Sequence, residues 1–419
     1  MHVRPFARLA ATAAAVALAV ALPLTVPSGP RLAPAAVASS EGFSVPTSPV
    51  ATFNIPDSDV QSDRESIKSQ LLGLIANAAP GSEIYGSIYL FNDNEAGVAL
   101  IAARQRGVKV RVLMDDAGRT AAGSEYARLS KSSALGTDTA QDSFVFACPM
   151  DRGCIGNRTD LSKPPINHNK FFLFSQTAGV KNVVFQTSAN LTATQLNQYY
   201  NNAVTISRVE LYDAYRSYWK AQLTQGQGAG LPEYASTTQA GPYESTFFPR
   251  AEGDPVVDLL GKVDCARYPG GEATKVRVAM FAFTRPEVAQ ELVRLRAAGC
   301  SVYVYYNGES GNLGSEVRQT LMGGGLNSLR ICRSTATDED GVSRNIGIHS
   351  KYLLVEGTYD GLINSKVVFT GSHNYTFPNL RGNDETLLKI KDPSLYGRYE
   401  HNFDEVLNGS NGGICTLVG

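Results

Sequence analysis

His168-Asn169-Lys170-Phe171-Phe172-Leu173-Phe174 and His349-Ser350-Lys351-Tyr352-Leu353-Leu354-Val355 are one pattern written twice. In each copy a histidine and a lysine two residues apart open an apolar run. Successive side chains of a strand point to opposite faces, so if these runs are strands the His and Lys of each copy share a face. A second β-rich run follows in both copies, at 183–185 and 367–369. It leads to Ser188-Ala189-Asn190 in the first copy and to Gly371-Ser372-His373-Asn374 in the second, where Ser and Asn again share a face.

The repeat extends outward. Asn92-Asp93-Asn94-Glu95 leads into an apolar-periodic stretch that stops at Gly107, and Thr284-Arg285-Pro286-Glu287 into one that stops at Gly299. Both predict helices with a capping-box-like start and a glycine just past the end. Each follows an apolar strand (84–91; 276–283) and precedes another (108–114; 302–306). Each half therefore runs strand, helix, strand, a variable stretch, the His-x-Lys strand, the Ser-x-Asn strand and a closing helix. The closing helices fall at about 209–222, which carries the only Trp, Trp219, and about 395–407. This alternation predicts an α/β fold of two similar sandwich halves, with mixed sheets covered by helices. The expected halves are 59–223 and 243–419, joined by a Gly-, Gln-, Ser- and Thr-rich linker at 224–242.

Arg4 and Arg8 precede an Ala-rich apolar run broken by Pro23 and Pro27, and Ala36-Val37-Ala38 offers a small-residue cleavage site. Residues 1–38 are therefore expected to be a signal peptide, 39–58 an extended leader, and the product secreted. The whole chain has 38 Lys plus Arg against 39 Asp plus Glu; loss of residues 1–38 removes three arginines and no acid, which moves the net charge from −1 to −4. An acidic chain has no bulk attraction for polyanions, so no stable nucleic-acid partner is expected. The six cysteines all lie beyond residue 38, and an even count in an exported chain predicts disulfides, with Cys148–Cys154 the first pairing.

A lone histidine on an apolar strand is ordinarily a hydrogen-bonded core residue. Here two of the four histidines beyond residue 38 carry Lys at the second following position and Ser-x-Asn downstream, in the same place of a duplicated layout. Two imidazoles, two ammonium groups and two amides converging on one cleft suit a phosphate diester. Cations hold the anion, one His attacks and the other protonates. Lys170, Lys351, Asn190 and Asn374 are the expected phosphate contacts. No metal-ligand cluster is present, and neither a metal nor a cofactor is expected. Asp115-Asp116 reads as a strand end, Gly323-Gly324-Gly325 as a turn, and His401 as a surface residue.

From about residue 53 to 410 the chain resembles the phospholipase D superfamily, marked by a duplicated His-x-Lys-x4-Asp motif with a downstream Gly-Ser-x-Asn-type element. His, Lys and Asn match in both halves, whereas the Asp position holds Ser175 in the first and Glu356 in the second. The resemblance implies that this position supports the framework through backbone contact, outside the direct chemistry. Glu356 keeps a carboxylate there, and Ser175 keeps a hydroxyl. A catalytic His also needs an orienting group. Asp384 and Glu385 follow Asn374 as the family's acidic orienter does, while Asn201 and Asn202 stand at the matching place of the first half. Ser188 and Ser372 are expected to support the site, and His373 to lie near the cleft.

The resemblance further implies a phosphohistidine mechanism with His168 as nucleophile and His349 as acid and base. The expected protein is a secreted, monomeric phospholipase D acting on phospholipid at a membrane or vesicle surface, with transfer to alcohols open. Two alternatives stay open: a secreted nuclease or small phosphodiester hydrolase of the superfamily, and a catalytically weakened binding protein with this fold.

Overall fold

Apolar runs such as 171–174 and 352–355 have no polar face, so their strands must be covered on both sides. The computed structural model, described over residues 43–45, 49–266, 271–337, 343–408 and 413–418, shows how that is achieved. In the first half the His-x-Lys strand (Lys170–Thr177) lies inside a seven-stranded mixed sheet. The order across this sheet is Val50–Phe53, Asn202–Ser207, Val180–Thr187, Lys170–Thr177, Glu83–Ile88, Lys109–Met114 and Phe144–Ala147. The second sheet repeats the same core order: Thr386–Ile390, Leu362–Gly371, Lys351–Tyr359, Lys275–Met280, Ser301–Asn307 and Ser328–Thr337. The duplication read in the motifs is thus a duplication of topology, two α/β sandwich halves.

Side-chain alternation assigns each strand to two cores. Phe172 and Phe174 pack outward with Leu71, Leu74 and Leu100 of the first half's helices. Leu353 and Val355 do the same with Val288 and Leu292 in the second half. Phe171 and Leu173, with Tyr352 and Leu354, face a single inner core shared by the halves. The closing helices, Val209–Gln227 and Pro393–Asn408, contribute Tyr215, Tyr218, Trp219, Tyr396 and Tyr399 to it. The helices after Glu83–Ile88 and Lys275–Met280 run Asn94–Gln105 and Pro286–Ala297, and Gly107 and Gly299 just beyond them sit at φ +92° and +104°. Only glycine takes that left-handed turn without strain.

Three local features differ from the sequence reading. Segment 224–242 holds the last turn of the closing helix and a strand, Ser236–Ala240, at the edge of the second sheet. Its polar composition fits an edge strand, whose backbone pairs through Tyr243–Phe247 without needing an apolar face. Within 39–58, Val50–Phe53 is an edge strand of the first sheet, paired antiparallel to Asn202–Ser207. The sheet strands begin at Lys170 and Lys351, so His168 and His349 stand on the entry segments before them. The expected signal peptide, 1–38, lies outside the described residues.

Cys148 is bonded to Cys154, Cys265 to Cys300 and Cys332 to Cys415. Among the described residues no helix is long and apolar enough to cross a membrane.

Candidate active site

The entry segments leave their own sheet because their backbone is claimed by the opposite half. The N–H of His168 donates to the carbonyl of Asp384 (3.0 Å), and that of His349 to the carbonyl of Tyr200 (2.9 Å). The orienting groups are exchanged in the same way. His168 Nδ1 lies 2.8 Å from Glu385 Oε1 of the second half, and His349 Nδ1 lies 3.1 Å from Asn201 Oδ1 of the first. Ser372 Oγ donates to Glu385 Oε2 (2.5 Å) and Ser188 Oγ to Asn201 Oδ1 (2.9 Å), so the two serines brace the two orienters. Asn379 Nδ2 adds a further donor to Glu385.

The lysines fold back onto the histidine segments. Lys170 Nζ donates to the His168 carbonyl (2.6 Å), and Lys351 Nζ to the His349 carbonyl (2.5 Å). Lys351 Nζ also stands 3.0 Å from His349 Nδ1 and 3.2 Å from its Nε2. Each lysine nitrogen rests over an aromatic ring just after the strand beside its own His-x-Lys strand: Lys170 over Tyr89 (5.3 Å) and Lys351 over Phe281 (5.0 Å). The same rings flank the imidazoles, Tyr89 at 5.3 Å from His168 and Phe281 at 4.4 Å from His349. Asn374 Oδ1 accepts from the N–H of Ala282 (3.3 Å), while Asn190 Oδ1 is buried with no hydrogen-bond partner among the described residues.

Other expected residues lie elsewhere or act differently. Ser175 Oγ accepts from the N–H of Glu83 (2.8 Å), a framework contact to backbone. Glu356 makes no such contact; it sits within 4 Å of Lys275, Arg277 and Lys366 in a half-exposed ion-pair cluster. Its extra methylene carries the carboxylate toward these surface cations. Asp384 does not orient a histidine ring: its carboxylate accepts from the N–H groups of Ile155 (2.9 Å) and Gly156 (2.8 Å) beside the Cys148–Cys154 bridge. Asn202 Nδ2 bonds Thr370 and Tyr399 across the halves. His373 lies against Phe248 (ring centroids 4.4 Å, tilted by 35°) with both ring nitrogens unpartnered among the described residues. His401 is exposed. Sequence reasoning missed Tyr89, Phe281 and Asn379. The first two occupy one place in the repeat, directly after the strands ending at Ile88 and Met280, and their shared aromatic character was the available signal.

Burial dominates the electrostatics. It holds His168 well below the ordinary imidazole range, helped by the charges of Lys170 and Lys351. It holds His349 down likewise, with Lys351 and Lys170 adding to the effect. Lys170 is pulled down to about 7 by burial, against the raising influence of Glu385 and Asp115. Glu385 is pushed up to about 8 by burial, against the pull of Lys170. Burial disfavours the charged form of both lysines, and a bound phosphodiester would favour it.

A duplicated α/β sandwich with two His-x-Lys segments meeting at the interface of its halves defines a phospholipase D-type architecture. The family model described as "Cardiolipin synthase, PLD-like domain" matches residues 71–223 and again 272–407, and the chain belongs to this family. No curated protein matches the sequence. Among solved structures, phosphatidylserine synthase from Haemophilus influenzae is similar at 16 % identity and TM-score 0.56, over 85 % of this chain and 86 % of that one. Polyphosphate kinase from Porphyromonas gingivalis is similar at 16 % identity and TM-score 0.54. There the match covers 86 % of this chain, which spans only 50 % of the kinase. At such identities the likeness is one of fold.

Proposed function

We propose that the protein is a phosphodiesterase of the phospholipase D type, exported from the cell, that removes head groups from phospholipids through a phosphohistidine. The observation that carries this reading is the unequal pair of orienters, a carboxylate on His168 and an amide on His349. With its Nδ1–H held by Glu385, His168 presents the Nε2 lone pair to phosphorus. As the P–N bond forms the ring becomes cationic, and the proton between Nδ1 and Glu385 settles on Nδ1. The carboxylate, which burial pushes up to about 8, compensates the ring's charge. The bond from phosphorus to the leaving alcohol breaks, and its electron pair goes to the alcohol oxygen. His349 Nε2 gives that oxygen a proton. Burial and the two lysines disfavour the His349 imidazolium in the empty cleft, and a phosphodiester anion seated between the lysines restores it, so His349 is charged when substrate is bound. His349 then takes a proton from water or an acceptor alcohol, whose oxygen attacks phosphorus while the P–N electrons return to His168. Lys170, Lys351, Asn190 and Asn374 hold the nonbridging oxygens.

Lipid is favoured over nucleic acid by the acidic balance of the exported chain, 35 basic against 39 acidic side chains once residues 1–38 are removed, which gives a polyanion no general attraction. The family description, a cardiolipin synthase-type domain, also supports a lipid substrate. On phosphatidylcholine vesicles in EDTA, choline and phosphatidic acid are the expected products, with phosphatidylethanol appearing when ethanol is added. His168→Ala should lose at least about a thousandfold in rate, the order that a covalent nucleophile contributes. Cleavage of single-stranded DNA without lipid turnover would move the reading to a nuclease, and abolition by EDTA would overturn the metal-free mechanism.

A further inference from the structure

Asp115 and Asn307 occupy one position of the repeat. Asp115 directly follows Lys109–Met114, and Asn307 is the last residue of Ser301–Asn307. Both are almost fully buried, at 2 % and 1 % exposure, yet neither touches a histidine or lysine side chain of the cleft through a hydrogen bond. Each spends half of its capacity on its own turn. Asp115 Oδ1 accepts from the N–H of Ala117 (2.9 Å), and Asn307 Oδ1 from the N–H of Glu309 (2.8 Å). The other half of each side chain reaches the residue immediately before a catalytic histidine. Asp115 Oδ2 accepts from the N–H of Asn167 (2.6 Å), and Asn307 Nδ2 donates to the carbonyl of Ile348 (2.9 Å).

We infer that Asp115 and Asn307 are positioning residues, each clamping the entry segment of one histidine so that its ring meets the orienter supplied by the other half. Side-chain identity follows from what the entry segment offers. Asn167 presents an N–H, so position 115 must accept twice and a carboxylate is needed. Ile348 presents a carbonyl, so position 307 must donate to it while its oxygen accepts from the Glu309 N–H and Asn312 Nδ2, which an amide does. The opposite face of each segment is already held by the partner half: His168 N–H by the Asp384 carbonyl and His349 N–H by the Tyr200 carbonyl. Gripped from both sides, the peptide before each ring has no freedom to swing its imidazole away from Glu385 or Asn201. A side chain that accepts two buried N–H groups is also costly to misplace, because a buried donor left without a partner destabilises the fold.

The clamp predicts separable defects. Asp115→Asn turns an N–H toward an N–H, and Asp115→Ser keeps an oxygen for the Ala117 cap but cannot reach Asn167. Asn307→Asp places an oxygen against the Ile348 carbonyl. With isotope-labelled histidine, the His168 Nδ1 proton bound to Glu385 should give a downfield resonance, assigned by its loss in His168→Ala. That resonance should shift or broaden in both Asp115 variants and stay in place in Asn307→Asp. An unchanged resonance in a folded Asp115→Ser or Asp115→Asn protein would overturn the inference, and this arm needs no substrate.

The kinetic arm rests on the phosphodiesterase reading and uses bis(p-nitrophenyl) phosphate, whose nitrophenolate departs without a proton. The Asp115 variants should slow the burst of phosphoenzyme formation by about a hundredfold, the scale of an ångström-level misplacement. Asn307→Asp should keep the burst and slow the following turnover. Equal loss of both steps in all variants would reduce the pair to ordinary structural residues and overturn the separate-clamp assignment. Absence of any turnover by the wild type, with the resonance behaving as described, would sink the phosphodiesterase reading and leave the clamp standing.

Discussion

Lys170 carries the clearest consequence at the scale of a single residue. Burial brings its ammonium down to about 7, so at pH 8 the empty site holds it mostly neutral. An anion seated between Lys170 and Lys351 favours the charged form, which raises the affinity of both amines for protons. Binding of an anion should therefore take up protons, not release them, in the window between about 7 and the ordinary lysine value of 10.5. Sulfate is a suitable probe because it does not titrate there. Calorimetry at pH 8 in buffers of different ionisation enthalpy should show uptake of at least about one proton per sulfate, since Lys351 is depressed as well. Lys170→Met should diminish that uptake. Proton-neutral binding in the wild type would mean that the lysine is already charged in the empty site.

At the scale of elements, the loop around Cys148–Cys154 and the strand entry at His168 form one unit. Asp384 joins them: its carboxylate binds the N–H groups of Ile155 and Gly156, and its carbonyl receives the N–H of His168. There is no slack at this junction, since a Cβ on Gly156 would fall 1.9 Å from the Gly382 carbonyl oxygen. Asp384→Asn sets an amide N–H against a backbone N–H and should destabilise by about 1–3 kcal/mol. A fall of a few degrees in the thermal midpoint is expected. Unchanged stability would show the loop to be held by its disulfide alone. This junction also marks where the sequence stopped being legible. The strands, their order of occurrence and the duplicated His-x-Lys and Ser-x-Asn elements could be read from local apolar runs and turn signals. Their assembly into two matching sheets follows from those same runs. The crossing of Glu385 to His168 and of Asn201 to His349 could not be read, because chain proximity favours a partner in the same half. Asp384 next to Glu385 looks equivalent in sequence, and only strand alternation sends one carboxylate to the ring and the other to the loop. The polar stretch 224–242 read as a linker because an edge strand needs no apolar periodicity.

At the scale of the whole molecule, exchange of orienters makes the two halves one catalytic unit. Neither half holds a complete site: His168 lacks a carboxylate without the second half, and His349 lacks its amide without the first. The shared inner core, in which Phe171, Trp219, Tyr352 and Tyr399 belong to one cluster, fixes the halves at the spacing those contacts require. Asn202, bonded to Thr370 and Tyr399, adds buried polar bonds across the same interface. Because one chain supplies both halves, the cleft should be completed within the chain. Two inactive full-length variants, His168→Ala and His349→Ala, each carry one intact histidine. Mixed after separate folding, they should remain as inactive as either alone, since neither can lend its half to the other without breaking the inner core. Mixing during refolding from denaturant tests the same point under conditions where exchange of halves is open. Recovery of a quarter or more of wild-type turnover per site in that refolded mixture, with dimers seen by light scattering, would show that the halves exchange between chains. Continued silence, with the protein monomeric, is the outcome the crossed geometry predicts.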